Sequence, residues 1–105
     1  MGGSTPRPNR PKVTNSQKDP CDLVIHTQLK SPTEEVVITI NVGDILEIVV
    51  LPPDECLALY NGQTAGKIFC LELKELLACI KEGNIYEAKV RSVNGIRCAI
   101  TISRV

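Results

Sequence analysis

Residues 85–102 read IYEAKVRSVNGIRCAITI, and this stretch decides the fold. Tyr86, Ala88 and Val90 alternate with Glu87, Lys89 and Arg91, the period of a half-buried strand. After Asn94-Gly95, the residues Ile96, Cys98, Ile100 and Ile102 again fall on one face. Two alternating strands about an Asn-Gly pair make an antiparallel hairpin. A two-residue loop would set Lys89 beside Ile100. A three-residue loop over Val93–Gly95 pairs Val90 with Cys98, Ala88 with Ile100 and Tyr86 with Ile102. The expectation is therefore a type I turn with Gly95 left-handed in a bulge.

Upstream of the hairpin the period changes. Leu73, Leu76, Leu77 and Ile80 stand at i, i+3, i+4 and i+7, one face of a helix, and Gly83 follows where a left-handed cap belongs. The spacing predicts one helix near residues 71–82. Further back lie short apolar runs at 22–29, 35–42, 45–51, 56–60 and 63–69, separated by Ser31-Pro32, Gly43-Asp44, Pro52-Pro53 and Asn61-Gly62. In 35–42, Val36, Ile38, Ile40 and Val42 would share a face. Residues 45–51 are apolar on both faces apart from Glu47, which reads as a central strand. The fold class is mainly β, a β-barrel or rolled sheet of about six or seven short strands with one helix.

Composition sets bounds on function. Only Tyr60, Phe69 and Tyr86 are aromatic, so Ile, Val and Leu must build the core. The chain of 105 residues has a formal net charge of zero. Residues 1–20 hold four prolines, with Arg7, Arg10, Lys12 and Lys18 against Asp19 alone. They read as a disordered basic tail ahead of one domain at 21–105. The tail is net +3, which leaves −3 on the domain, and an acidic body disfavours tight binding of a phosphate backbone. No apolar stretch is long enough to span a bilayer, and the N-terminus lacks the apolar segment of a secretory signal. Five cysteines at irregular spacing, each in or beside an apolar run, read as buried reduced thiols of a cytoplasmic protein.

No catalytic constellation stands out, and the chain reads as a non-enzyme without cofactor. His26 is the only histidine and there is no Cys-x-x-Cys, so no metal site is expected. Cys70 precedes the helix and is the thiol best placed to feel a helix N-terminus, although a structural role is the simpler reading. Glu34-Glu35 and Asp54-Glu55 sit at turns, where solvated acids are ordinary. Gly62 and Gly66 are separated from the helix by strand, so they form no phosphate loop. Lys89, Arg91 and Arg97 face outward on the last hairpin, and in the bulged register Arg91 and Arg97 are diagonal neighbours.

Four segments in order carry a family resemblance: Gly43-Asp44-Ile45-Leu46-Glu47-Ile48, Leu57-Ala58-Leu59-Tyr60, Gly66-Lys67-Ile68 and Gly83-Asn84-Ile85-Tyr86-Glu87-Ala88-Lys89-Val90. Over residues 43–102 the chain resembles HIRAN domains, small OB-like β-barrels of chromatin-remodelling helicases and bacterial modules. Pro52-Pro53-Asp54-Glu55-Cys56-Leu57-Ala58 departs in spacing from the family's Asn-Pro-x-Asp-x-x-Ala run, and no aromatic precedes Tyr60. The resemblance implies a binding module for single-stranded or end-exposed DNA or RNA. Tyr60, Asn61, Lys67, Arg91 and Arg97 are the candidate contacts. The alternative is a protein-interaction or assembly module that pairs, with itself or a partner, through exposed strand edges.

Overall fold

The computed structural model describes residues 19–105. Its elements are β1 (Val24–Gln28), α1 (Glu34–Val37), β2 (Ile45–Leu51), β3 (Glu55–Tyr60), β4 (Gln63–Lys67), α2 (Leu73–Lys81), β5 (Tyr86–Asn94) and β6 (Arg97–Arg104). The strands form one antiparallel sheet in the order β1-β6-β5-β2-β3-β4. The fold is thus mainly β, with β2 in a central position as its two apolar faces require. The tail expected over residues 1–20 lies outside the described residues up to 18. Asp19 belongs to the folded part, where its carboxylate meets Arg104 at 2.8 Å.

The sheet curls but does not close. Among the described residues its two outer strands are bridged by Lys30, just beyond β1, whose N–H donates to Lys67 O at 2.8 Å and whose carbonyl accepts from Lys67 N at 2.7 Å. Gly66 makes this approach possible: a Cβ there would lie 3.1 Å from both Leu29 Cβ and Lys30 O. The interior is aliphatic, with Ile25, Leu46, Val90, Ile100 and Ile102 almost wholly enclosed. Leu76 and Leu77 of α2 join the same cluster.

Apart from Ile96, which falls in the turn and is 46% exposed, the final hairpin keeps its inward face but not its register. Val90 pairs with Ile100, Ala88 with Ile102 and Tyr86 with Arg104, two residues away from the expected alignment. A slip of two preserves which side chains face the core. The loop is the two residues Gly95-Ile96, with Gly95 at φ +64°, the pattern of a type II′ turn. The bulge lies at Arg91 instead. Val90 and Val93 are three apart and cannot share a face of a regular strand. The extra residue turns Val93 back toward Cys98 and the core.

The strand expected over 35–42 is not formed. Residues 34–37 make the short helix α1, and Val36, Val37 and Ile40 are buried while Ile38 and Val42 are 67% and 66% exposed. Burial at i, i+1 and i+4 is the spacing of helical turns. Thr33 O accepts from the N–H groups of both Val36 and Val37, and Glu34 and Glu35 sit where the helix dipole favours acids. Packing of these valines on the sheet overrides their strand propensity.

Helix α2 spans 73–81, inside the expected bounds. Gly83 adopts φ +102°, Gly83 N–H donates to Ile80 O, and Asn84 N–H donates to Cys79 O, the paired bonds of a Schellman cap. The cysteines depart in part from expectation. Cys56 and Cys98 are buried thiols, but Cys21 and Cys79 form a disulfide across 58 residues. It ties the segment before β1 to the last turn of α2. Unfolded without reductant, the protein should titrate three thiols, Cys56, Cys70 and Cys98, out of its five cysteines. A count of five would show that the bond is absent. Among the described residues, no helix is long and apolar enough to cross a membrane.

Candidate functional site

The two rims of the sheet differ. The outer rim of β4 is occupied: Lys67 exchanges both backbone bonds with Lys30, and Ala65 O accepts from Thr33 N–H at 2.8 Å. The outer rim of β1 is not occupied by any of the described residues. Leu29 N–H points to β6, donating to Cys98 O at 3.0 Å. In an antiparallel ladder this alternation sends the backbone groups of Ile25 and Thr27 to β6 as well. Those of Val24, His26 and Gln28 point away, and they have no main-chain partner among the described residues. All three residues are exposed, Val24 to 62%.

The side chains of β1 make this rim unusual. Exposed edges are commonly guarded by charged residues, proline or a bulge. Residues 24–28 read VIHTQ, with none of these. Its register with β6 is continuous from Val24↔Ser103 to Gln28↔Ala99. His26 Nδ1 lies 2.9 Å from Thr101 Oγ1 across the pair, which holds the imidazole against the sheet. The strand is fixed at both ends. Beyond it stands the Lys30–Lys67 bridge. Before it, the disulfide joins Cys21 to α2, and the Tyr86 hydroxyl donates to Cys21 O.

The residues expected to contact nucleic acid do not form one patch. Tyr60 and Asn61 stand at the β3–β4 turn, where Asn61 and Gly62 take φ +52° and +81°. Tyr60 Oη donates to Asp44 Oδ2 at 2.9 Å, and this bond raises the phenol's pKa above its ordinary value. Asp44 O accepts from Val90 N–H at 2.9 Å, which ties this turn to the base of the last hairpin. Arg91, at the bulge, and Arg97, opposite Asn94, lie in that hairpin at the same end of the sheet. The diagonal contact expected between them depended on a register that is not adopted. Lys67 stands at the other end of β4, and its ammonium is 2.7 Å from the Glu55 carboxylate.

A groove of about 480 Å³ lies beside that ion pair, lined by Pro52, Pro53, Cys56, Ile68, Phe69 and Leu73 among others. Burial pushes the Cys56 thiol up to about 11, so it stays protonated at neutral pH. Cys70, the candidate reactive thiol, is also raised, chiefly by burial. Among the described residues, no cluster of three His, Cys, Asp or Glu side chains is arranged to hold a metal.

In the sequence His26 counts only against a metal site, and neither Val24 nor Gln28 stands out. The available signal was a strand without charge, proline or glycine. That signal acquires meaning only once the strand is known to lie at an edge. Comparison of the chain with family models, curated proteins and solved structures finds no match.

Proposed function

We propose that this protein is an interaction module that accepts an extended strand along β1. The observation that carries this reading is the uncharged rim of Val24, His26 and Gln28, whose backbone groups have no partner among the described residues, while the opposite rim is taken up by Lys30 and Thr33. A strand laid there would gain main-chain hydrogen bonds at alternate residues, and a side chain beside Val24 would cover part of its exposed surface. The nucleic-acid reading has less support in the geometry. Glu55 neutralises Lys67, Asp44 occupies the Tyr60 hydroxyl, and the remaining candidate cations, Arg91 and Arg97, stand in a different hairpin from Lys67. The HIRAN-like reading of residues 43–102 is supported by element order: β2, β3, β4, α2 and β5 follow as the resembling segments would place them.

The test is an amide NMR titration with a peptide copying residues 22–30, and in parallel with a short single-stranded oligonucleotide. The peptide should shift the amides of Val24, His26 and Gln28. His26→Pro should abolish those shifts while leaving the rest of the spectrum in place. Proline is tolerated on an edge strand where its nitrogen faces outward, but it removes the central donor. Absence of peptide shifts would overturn the reading. Salt-sensitive oligonucleotide shifts around Tyr60, Asn61, Arg91 and Arg97 would then assign the module to nucleic acid.

A further inference from the structure

We infer that the strand accepted by β1 is β1 of a second copy, paired antiparallel about a two-fold axis at His26; this rests on the edge-acceptor reading above. The outward backbone groups fall at Val24, His26 and Gln28, evenly spaced about His26. A two-fold axis at the centre makes His26 face His26 of the second copy as a hydrogen-bonded pair. Val24 then faces Gln28 in both directions. All three pairs exchange N–H and C=O, so each donor and acceptor left open in the monomer finds its mate in the same set of residues.

The side chains fit this register. No Asp, Glu, Lys or Arg lies in Val24–Gln28, so the pairing sets no carboxylate, ammonium or guanidinium opposite its like. On the outer face each Val24 packs beside the stem of a Gln28, which covers the most exposed apolar side chain of the strand. The length fits as well. The open rim ends where Lys30 turns its backbone to Lys67, so a partner strand has room for these three pairs and no longer ladder. A five-residue pairing of this kind buries little surface and gives a reversible dimer rather than an obligate one.

The register makes a prediction that a generic sticky edge does not. Facing residues of a hydrogen-bonded antiparallel pair have Cα atoms about 5.5 Å apart, within the span of a disulfide. In the full chain carrying Cys70→Ser, which removes the partly exposed thiol, His26→Cys should cross-link to itself under mild oxidation and double the mass on a non-reducing gel. Val24→Cys alone should stay monomeric, because its counterpart lies four residues along the partner. Val24→Cys with Gln28→Cys should cross-link again. Sedimentation of the unmodified chain should show mass rising with concentration, and His26→Pro should remove the rise. Equal cross-linking of the two single variants, or a mass fixed at the monomer, would overturn the two-fold pairing. If the mass stays monomeric while the 22–30 peptide still shifts Val24, His26 and Gln28, the edge accepts a strand from another protein. If the peptide shifts nothing either, the edge-acceptor reading fails with it.

Discussion

Leu46→Ala should lower the unfolding free energy by about 2–5 kcal/mol, a large share of the roughly 5–15 kcal/mol that holds a domain together. Leu46 lies on central strand β2, opposite Ala88 of β5, and both are fully enclosed. Ala58 of neighbouring β3 is also fully buried. Ala88, directly opposite, offers little side chain to refill the space a leucine vacates. The cost is then the lost transfer energy together with a cavity that the curled sheet cannot collapse. Urea unfolding followed by circular dichroism should show a lower midpoint at unchanged slope. Ile45→Ala is the internal control, since Ile45 is 47% exposed at the same strand start. If both variants lose the same small amount, Leu46 is not at the centre of the core.

Gly66→Ala is the second large effect, about 1–3 kcal/mol of destabilisation from overpacking. Its φ is not in the left-handed region, so the glycine is there for space and not for backbone freedom. The added methyl would meet Leu29 Cβ and Lys30 O at 3.1 Å each. The Leu29 Cδ1 atom can rotate away, but a Cβ and a carbonyl oxygen move only with the main chain. The strain therefore falls on the paired bonds between Lys30 and Lys67, which bridge the two rims. Amide exchange at Lys30 and Lys67 should accelerate more than exchange in the β5–β6 ladder. Unchanged stability with unchanged exchange would show that the rims do not meet as closely as described.

The departures from expectation share one cause. Alternation in residues 35–42 was compatible with a strand, yet the chain needs that segment to cross from β1 to the start of β2. A helical turn puts Val36, Val37 and Ile40 on the core at once. Likewise the inward set of the last hairpin was legible in the sequence, but its register was not. Slips by two residues cost nothing in polarity, and Val93 decides between them only through the bulge at Arg91. The Cys21–Cys79 pairing joins residues 58 apart, and no local pattern marks such a partner.

By itself the sequence determined what depends on period and on local turn chemistry. That covers the β-rich class, the helix ended by Gly83, the central place of residues 45–51, and the Asn61-Gly62 turn. Each of these follows from a short stretch whose side chains must be either buried or wet. The tertiary structure alone decided which rim of the sheet the described residues occupy and which they leave open. Strand order is a long-range property, set by which closures the whole chain can make. Only when Lys30 meets Lys67 across Gly66 does β4 become covered and β1 the edge. The candidate site is therefore three backbone positions, Val24, His26 and Gln28. Their importance comes from where they stand, since their side chains alone carry no distinctive chemistry.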